Sequence, residues 1–283
     1  MTDTINFQLC FPEAATFKKI LDVISGLMKD CVFYVTPNGL FLDAIDETRI
    51  CLISLALPDS YFSQFRCNQA SQISIRIASL QKLIKFCEAN DTITLTQRQK
   101  KPDEVEILVE SRQYRQTMNF VLHLTKSESE QTQADKIAAE SIIQLSSSRF
   151  SSLVKDLSAI GTVVRISTNL SDATANFEVV GEDANATITT GSGKDEDEDA
   201  VEQKITVKKE VDMKFTLRYL ILFSKAASLA SQVRIELANG NPAKIQYDFG
   251  TGGRISFLLA CSVEGEEEEG NDQAAAAGDD DDI

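Results

Sequence analysis

The sequence predicts an α+β fold made of two similar domains, each with two helices packed on antiparallel sheets. Two observations carry this expectation. A helix-then-strand unit recurs four times along the 283 residues, and its spacing pairs the first unit with the third and the second with the fourth. The remaining segments read as short strands, some alternating apolar and polar as in Ser71 to Ile77, which suits sheets with one face on a core.

The four units are TFKKILDVISGLMKDCVFYV from Thr16, SLQKLIKFCEANDTITL from Ser79, RFSSLVKDLSAIGTVVRIS from Arg149 and RYLILFSKAASLASQVRIEL from Arg218. Each carries an aromatic residue or Leu at its second position: Phe17, Leu80, Phe150 and Tyr219. Apolar residues at helical spacing follow, then a short break, then a β-branched strand. Phe17 and Phe150 are 133 residues apart, and Leu80 and Tyr219 are 139 apart, so the chain reads as two copies of one domain. Further strands are expected at INFQLC, RICLISLAL, SQISIRI, EVEILVE and MNFVLHL in the first copy. The second copy offers SIIQL, NATITT, EQKITVK, KIQYDF and RISFLLA. The glycine-rich GTGGR from Gly250 falls between two strands and reads as a hairpin turn. The domains are placed at 1–124 and 141–263, joined by a polar linker over 125–140 whose one large apolar residue is Ile137. A second acidic loop, GSGKDEDEDA from Gly191, joins two strands of the second copy.

Composition narrows the function classes. The hydrophobic fraction of 43% is enough for a real core, and no apolar run approaches a bilayer span. The N-terminus lacks the basic and apolar regions of a signal peptide, so a soluble intracellular protein is expected. The net charge is −15, but residues 264–283 hold ten carboxylates and no Lys or Arg. Removing them leaves −5, a mildly acidic body followed by an acidic tail that reads as disordered. Cys10, Cys31, Cys51, Cys67, Cys87 and Cys261 form no CxxC pair and read as reduced core residues rather than metal ligands. His123, the single histidine, lies in the alternating strand FVLHL and reads as structural. No P-loop, GxSxG or HExxH motif is present, so neither catalytic residues nor a cofactor or metal is expected.

The helices carry the most informative charge. Lys18 and Lys19 lie on the first, Lys82 and Lys85 on one face of the second, and Lys155 on the third. Arg218 and Lys225, seven residues apart, fall on one face of the fourth. The opposite face of the first, Ile20, Leu21, Ile24 and Leu27, is apolar. Lysines on one helix are ordinary solubilising groups, but four equivalent basic helices in an acidic protein suggest a shared role. They suit phosphate contact without base reading, because no recognition helix or aromatic stacking platform accompanies them.

On these segments the chain resembles the eukaryotic and archaeal DNA sliding clamp family, proliferating cell nuclear antigen, over about residues 5–263. The resemblance is carried by FTLRYLILFSKAASLASQVRIEL from Phe215, KDLSAIG from Lys155, LQKLIKFCEANDTITL from Leu80 and FKKILDVI from Phe17. It implies the DNA-clamp fold and a non-enzymatic trimer that closes head to tail into a pseudo-sixfold ring. The helices would line a hole around duplex DNA, with Lys18, Lys19, Lys82, Lys85, Lys155, Arg218 and Lys225 facing it. Ser152 and Ala159 stand where the family usually has basic or imidazole side chains. The edge strands TMNFVLHL and ANATITT would pair between subunits through Met118, Phe120, Leu122, Ala186 and Ile188.

The resemblance also implies a docking pocket for short peptides of replication and repair proteins, formed by Ile45, Arg49, Pro242, Leu258, Leu259 and Ala260. Arg49 replaces the usual His, and Cys261 the usual Pro; the position commonly modified by ubiquitin is Leu170. The implied partners are duplex DNA, two further copies of the chain, DNA polymerase, the clamp loader, flap endonuclease and DNA ligase, in the nucleus and away from membranes. A subunit of a heterotrimeric checkpoint clamp, which shares the fold, is the alternative. An acidic histone- or protein-binding module using the tail is a further one.

Overall fold

A computed structural model describes residues 4–126, 138–193 and 203–262. The first half runs β1 (Ile5–Phe11), α1 (Ala14–Ser25), β2 (Asp30–Thr36), β3 (Gly39–Ile45), β4 (Cys51–Pro58), β5 (Gln64–Cys67), β6 (Ser71–Arg76), α2 (Ile77–Ile84), β7 (Thr92–Arg98), β8 (Lys101–Ser111) and β9 (Gln116–His123). The second repeats that order: β10 (Ser141–Ser146), α3 (Ser147–Ser158), β11 (Val163–Asn169), β12 (Thr174–Val180), β13 (Asn185–Gly191), β14 (Lys204–Val207), β15 (Asp212–Thr216), α4 (Leu217–Ser224), β16 (Gln232–Leu237), β17 (Ala243–Phe249) and β18 (Gly253–Leu259).

The duplication extends to single hydrogen bonds. The first N–H of α1, on Ala14, donates to the Asp91 carbonyl at 2.8 Å, and that of α3, on Ser147, donates to the Ser231 carbonyl at 2.8 Å. The Ile77 N–H of α2 donates to the Lys29 carbonyl, and the Leu217 N–H of α4 to the Thr162 carbonyl. Each bond satisfies a donor that the helix itself cannot. The four anchors Phe17, Leu80, Phe150 and Tyr219 are all buried in one core cluster, each contributing about 1.5–3 kcal/mol by leaving water. Ile20, Leu21 and Ile24 are buried beside Phe17.

Three antiparallel sheets result. Their orders are β5-β1-β7-β8-β9, β14-β10-β16-β17-β18-β4-β3-β2-β6 and β13-β12-β11-β15. The middle sheet belongs to both halves, because β18 pairs with β4 from Arg254 opposite Ala56 to Leu259 opposite Cys51. The order β5-β1-β7-β8-β9 corresponds to β14-β10-β16-β17-β18, and β4-β3-β2-β6 to β13-β12-β11-β15. Among the described residues, only the first pair of edges, β18 and β4, meets; their counterparts β9 and β13 stand open.

Several boundaries differ from the sequence reading. Helix α2 starts at Ile77 rather than Ser79, because the Lys29 carbonyl captures the Ile77 N–H and ends β6 at Arg76. Helix α4 ends at Ser224 and tightens into a 3-10 turn over Lys225–Ser228, so Arg218 and Lys225 do not share a simple α-helical face. Strands β3, β5, β12 and β15 fall where none was expected. In β12 and β15 the outward positions are polar apart from the exposed Val180, as at Glu178 and Asp212, while Phe177, Val179, Met213 and Phe215 point inward. GTGGR is a hairpin turn between β17 and β18, with Gly250 and Gly252 at φ 52° and 78°, the left-handed region that favours glycine. The acidic loop after β13 is closed at its base by paired bonds between Gly193 and Gln203, and residues 194–202 lie outside the described residues. Most of the linker, 127–137 with Ile137, and the tail from 263 also lie outside them.

Candidate nucleic-acid interface, open edges and docking face

The four helices form one layer. Helix α1 packs against α2 and against the 3-10 turn after α4, and α4 packs against α3. Their apolar stripes are buried, and basic residues stand on the other side. Lys19, Lys82, Lys85, Lys155, Arg218 and Lys225 are exposed. Lys18 is half-buried, with its Nζ donating to the Cys87 carbonyl just beyond α2. That contact satisfies a helix-end acceptor and spends part of the charge locally. Lys19 Nζ reaches the Ser228 carbonyl at 2.9 Å, a bond from the first half to the second. Arg149, on the first turn of α3, is an exposed cation that the sequence reading passed over, although it heads the third unit. Its backbone N–H is capped by Ser146 Oγ at 3.3 Å. Acidic side chains interrupt the layer only locally; Asp22 is engaged by Gln81 Nε2 at 2.9 Å. Such a surface can neutralise phosphates, and it carries no fixed array of amides for reading bases.

The open edges follow from pairing. Strand β9 uses one side on β8 and β13 one side on β12, which leaves a row of main-chain donors and acceptors on each with no strand beside it among the described residues. Met118 and Phe120 on β9, and Ala186 and Ile188 on β13, are partly buried and lean toward the core. Leu122 is buried at 6% exposure, so β9 offers its main chain there rather than its side chain. His123, expected to be structural, ends β9 with an exposed ring 3.9 Å from Glu104.

The candidate docking face lies on the outer side of the middle sheet. Opposed residues in an antiparallel ladder share a face. The register therefore aligns Lys244, Leu258, Leu52 and Ile45 across β17, β18, β4 and β3. Ile45 is 43% exposed, and Leu52 and Leu258 are half-buried. Pro242 and Ala260, both half-buried, flank the row. Leu259 is a correction: it is 0% exposed, because alternation turns it into the core opposite Cys51 and Ala243. Leu52 takes the place on this face that was expected of Leu259. The sequence signal for Leu52 was the alternation of CLISLAL, which puts every second residue outward.

Arg49 is exposed at the tip of the β3–β4 loop at φ 61°, strained for a side chain other than glycine. Asp46 holds that loop. Its Oδ1 accepts the N–H groups of Ile50 at 2.9 Å and Cys51 at 2.7 Å, and its Oδ2 accepts from the Thr48 hydroxyl and the Tyr219 hydroxyl. Burial alone would raise the Asp46 carboxyl, but these donors outweigh it and hold it below the ordinary carboxylate value. Cys261 donates its Sγ–H to the Asn241 carbonyl at 3.3 Å, tying the strand exit to the loop that bears Pro242. Among the described residues, no three His, Cys, Asp or Glu side chains converge as a metal site.

Two family models match consecutive parts of the chain. Residues 6–133 match the N-terminal domain of proliferating cell nuclear antigen, and residues 134–262 match its C-terminal domain. Curated relatives bear the same name. The chain is 29% identical to one from Dictyostelium discoideum over 259 residues, covering 91% of this chain and 100% of the relative. It is 28% identical to one from Saccharomyces cerevisiae over 261 residues, covering 91% and 98%. It is 26% identical to one from Chaetomium thermophilum over 255 residues, covering 90% and 97%.

Proposed function

The chain belongs to the proliferating cell nuclear antigen family, and we propose from that premise which of its residues face DNA, close the ring and receive partners. It is a DNA sliding clamp, a processivity factor that encircles duplex DNA and tethers polymerase, the clamp loader and peptide-motif proteins to it. The work is mechanical, and no chemical step is assigned to any residue. A heterotrimeric checkpoint clamp finds no support, since both halves match the replication clamp. The named relatives come from eukaryotes, and the nucleus is the compartment this reading proposes.

The observation that carries the residue assignments is the pair of open edges. The chain contains one β18–β4 junction, and its edges β9 and β13 are the counterparts of that junction's two sides. Three copies joined β9 to β13 repeat the internal junction and close those two edges, so six equivalent junctions close a ring. The basic helix layer then lines the hole, with Lys19, Lys82, Lys85, Lys155, Arg149, Arg218 and Lys225 toward phosphates and Lys18 contributing less. The row Ile45, Leu52 and Leu258, with Pro242, Ala260 and the exposed Arg49, receives the apolar and aromatic side chains of partner peptides.

Retention on DNA tests the whole reading. Loaded protein is expected to stay on a nicked circle through gel filtration and to be lost once the circle is cut. Equal loss from circular and linear DNA would sink the encircling mechanism.

A further inference from the structure

Seven large apolar side chains are exposed among the described residues. One of them, Ile45, belongs to the docking row Lys244, Leu258, Leu52 and Ile45. Three others are Val121 on β9, Val163 on β11 and Val180 on β12, at 48%, 36% and 78% exposure. They point outward, since their neighbours Leu122, Val164 and Val179 are buried. The duplication places these three valines on one row.

The halves correspond ladder by ladder. Asp30 opposite Arg76 in the first half matches Val163 opposite Thr216 in the second. Ile45 opposite Leu52 matches Val180 opposite Asn185. The loops between those strands agree as well: the Asp46 N–H donates to the Cys51 carbonyl at 2.9 Å, and the Gly181 N–H to the Ala184 carbonyl at 3.0 Å. On the other side of the junction, Leu95 and Ile235 lie 140 residues apart, as do Ile77 and Leu217, the matched first donors of α2 and α4. Ile107 and Phe120 beside Leu95 therefore match Ile245 and Phe257 beside Ile235. One step along, Glu106 opposite Val121 matches Lys244 opposite Leu258. Leu258 meets Leu52 inside the chain. A β9–β13 junction of the same register sets the partner subunit's Val121 against Asn185. The counterpart of the docking row then runs Val163, Val180, Asn185, the partner subunit's Val121 and the partner subunit's Glu106.

We propose that this row is a second docking site, complete only where two subunits meet, for a short partner-protein segment that carries apolar side chains between lysines or arginines. The inference rests on the ring reading and deepens it. The row gains an apolar position at one end, because Val163 stands where the first half has Asp30. A groove of about 770 Å³ borders it, lined by Val163, Val180 and Met213 and reaching Cys261, so an extended segment has room alongside. Charge selects the occupant. Glu106 replaces Lys244, and the loop that presents Arg49 is replaced by a shorter one presenting the exposed Glu182 and Asp183. Glu106 accepts from Arg98 Nε at 2.9 Å, so the two loop carboxylates supply most of the attraction. Arg165 in the groove is already engaged, by Asp212 at 2.6 Å and 2.7 Å and by Glu178 at 3.0 Å. The two rows share a geometry and differ in charge at both ends, so they select different segments.

The test uses the full chain carrying Leu258→Arg, which closes the docking row to the probe. The probe is a short fluorescein-labelled peptide with Leu and Phe at its centre and Lys at both ends, read by anisotropy; a twin with Glu at both ends is the charge control. Sedimentation at the same concentrations reports the assembly. The expected result is a trimer that binds the Lys-ended peptide about ten-fold or more tightly than its twin, and that loses about ten-fold or more of this affinity in Val180→Lys and in Val121→Lys alike. If Val121→Lys, beside the paired edge, sediments as a monomer, Val121→Thr takes its place, keeps the branched shape and is expected to weaken binding several-fold. A loss confined to Val180→Lys puts the contact on one subunit and overturns the shared row. Absent binding, equal binding of the two peptides, or equal binding by trimeric variants overturns the row and leaves the ring standing. A wild-type chain that stays monomeric across concentrations overturns the ring and the row together.

Discussion

The Tyr219 hydroxyl donates to Asp46 Oδ2 at 2.9 Å, across 173 positions of the chain. One partner is the anchor of the fourth helical unit; the other is the carboxylate that holds the loop bearing Arg49. The bond therefore couples the basic helix layer to the rim of the docking face. It also lies across the junction of the two halves, beside β4 and β18.

Removing that hydroxyl tests the coupling. Tyr219→Phe keeps the buried ring and leaves Asp46 its other donors. It is expected to cost about 1 kcal/mol of stability, read as a lowered melting temperature. Partner-peptide affinity should fall as well, because the loop is less firmly held; a lower melting temperature with unchanged affinity would separate the loop from the pocket.

Acid stability follows from the same carboxylate. The folded-state pKa of Asp46 lies below its ordinary value of 3.8. Its contribution is thus fully present above that value and is lost as pH falls through the folded pKa. Asp46→Asn should flatten the decline in denaturation midpoint below about pH 4 relative to wild type. Parallel declines would assign the acid sensitivity to other groups.

Charge reversal at Lys82 and Lys225 tests the phosphate-facing layer. Both are exposed, so the double Lys→Glu variant is expected to melt like wild type. Retention on circular DNA should weaken, and its dependence on salt should become shallower by roughly one unit of slope for each phosphate no longer neutralised. Unchanged retention across a salt series would remove these residues from the DNA-facing set. Arg149→Glu is expected to behave in the same way.

The docking row makes a paired prediction. Leu258→Arg places a charge on the outer face and should weaken binding of an apolar and aromatic peptide by about 2 kcal/mol or more, read by fluorescence anisotropy, with little effect on melting. Leu259→Ala, one residue on, opens a core cavity and should cost about 2–5 kcal/mol of stability. Equal melting losses in the two variants would contradict the alternation that separates them.

Thiol reactivity reports both core and pocket. Burial pushes the Cys31 and Cys51 thiols up to about 12 and Cys87 to about 11. Native-state alkylation at pH 8, followed by mass spectrometry, should therefore mark the half-buried Cys67 and Cys261 first. A bound partner peptide should protect Cys261 and leave Cys67 unchanged.

Much of the fold was legible because burial writes its period into sequence. The spacing of Phe17, Leu80, Phe150 and Tyr219 points to the duplication and all four are buried, but the matching hydrogen bonds of Ile77 and Leu217 pair Leu80 with Leu220, one residue past Tyr219. The alternation of CLISLAL contains the outward position of Leu52, whereas Leu259 is turned into the core by the parity of its own strand, which position in the chain alone does not reveal. Strands β3, β5, β12 and β15 were missed since each is short or carries outward charge, and becomes a strand only when its neighbours supply a ladder.

The sequence by itself determined the repeat, the basic helices, the mildly acidic body and the family resemblance, all properties of residue type and spacing. Tertiary structure decided which edges pair and which stay open, that Lys18 spends its charge on a carbonyl, and that Phe86 stands exposed on Phe120. The reason is physical. Periodicity fixes which face of an element leaves water. Which element then meets that face is fixed by long-range pairing, such as β18 with β4, between segments about two hundred residues apart.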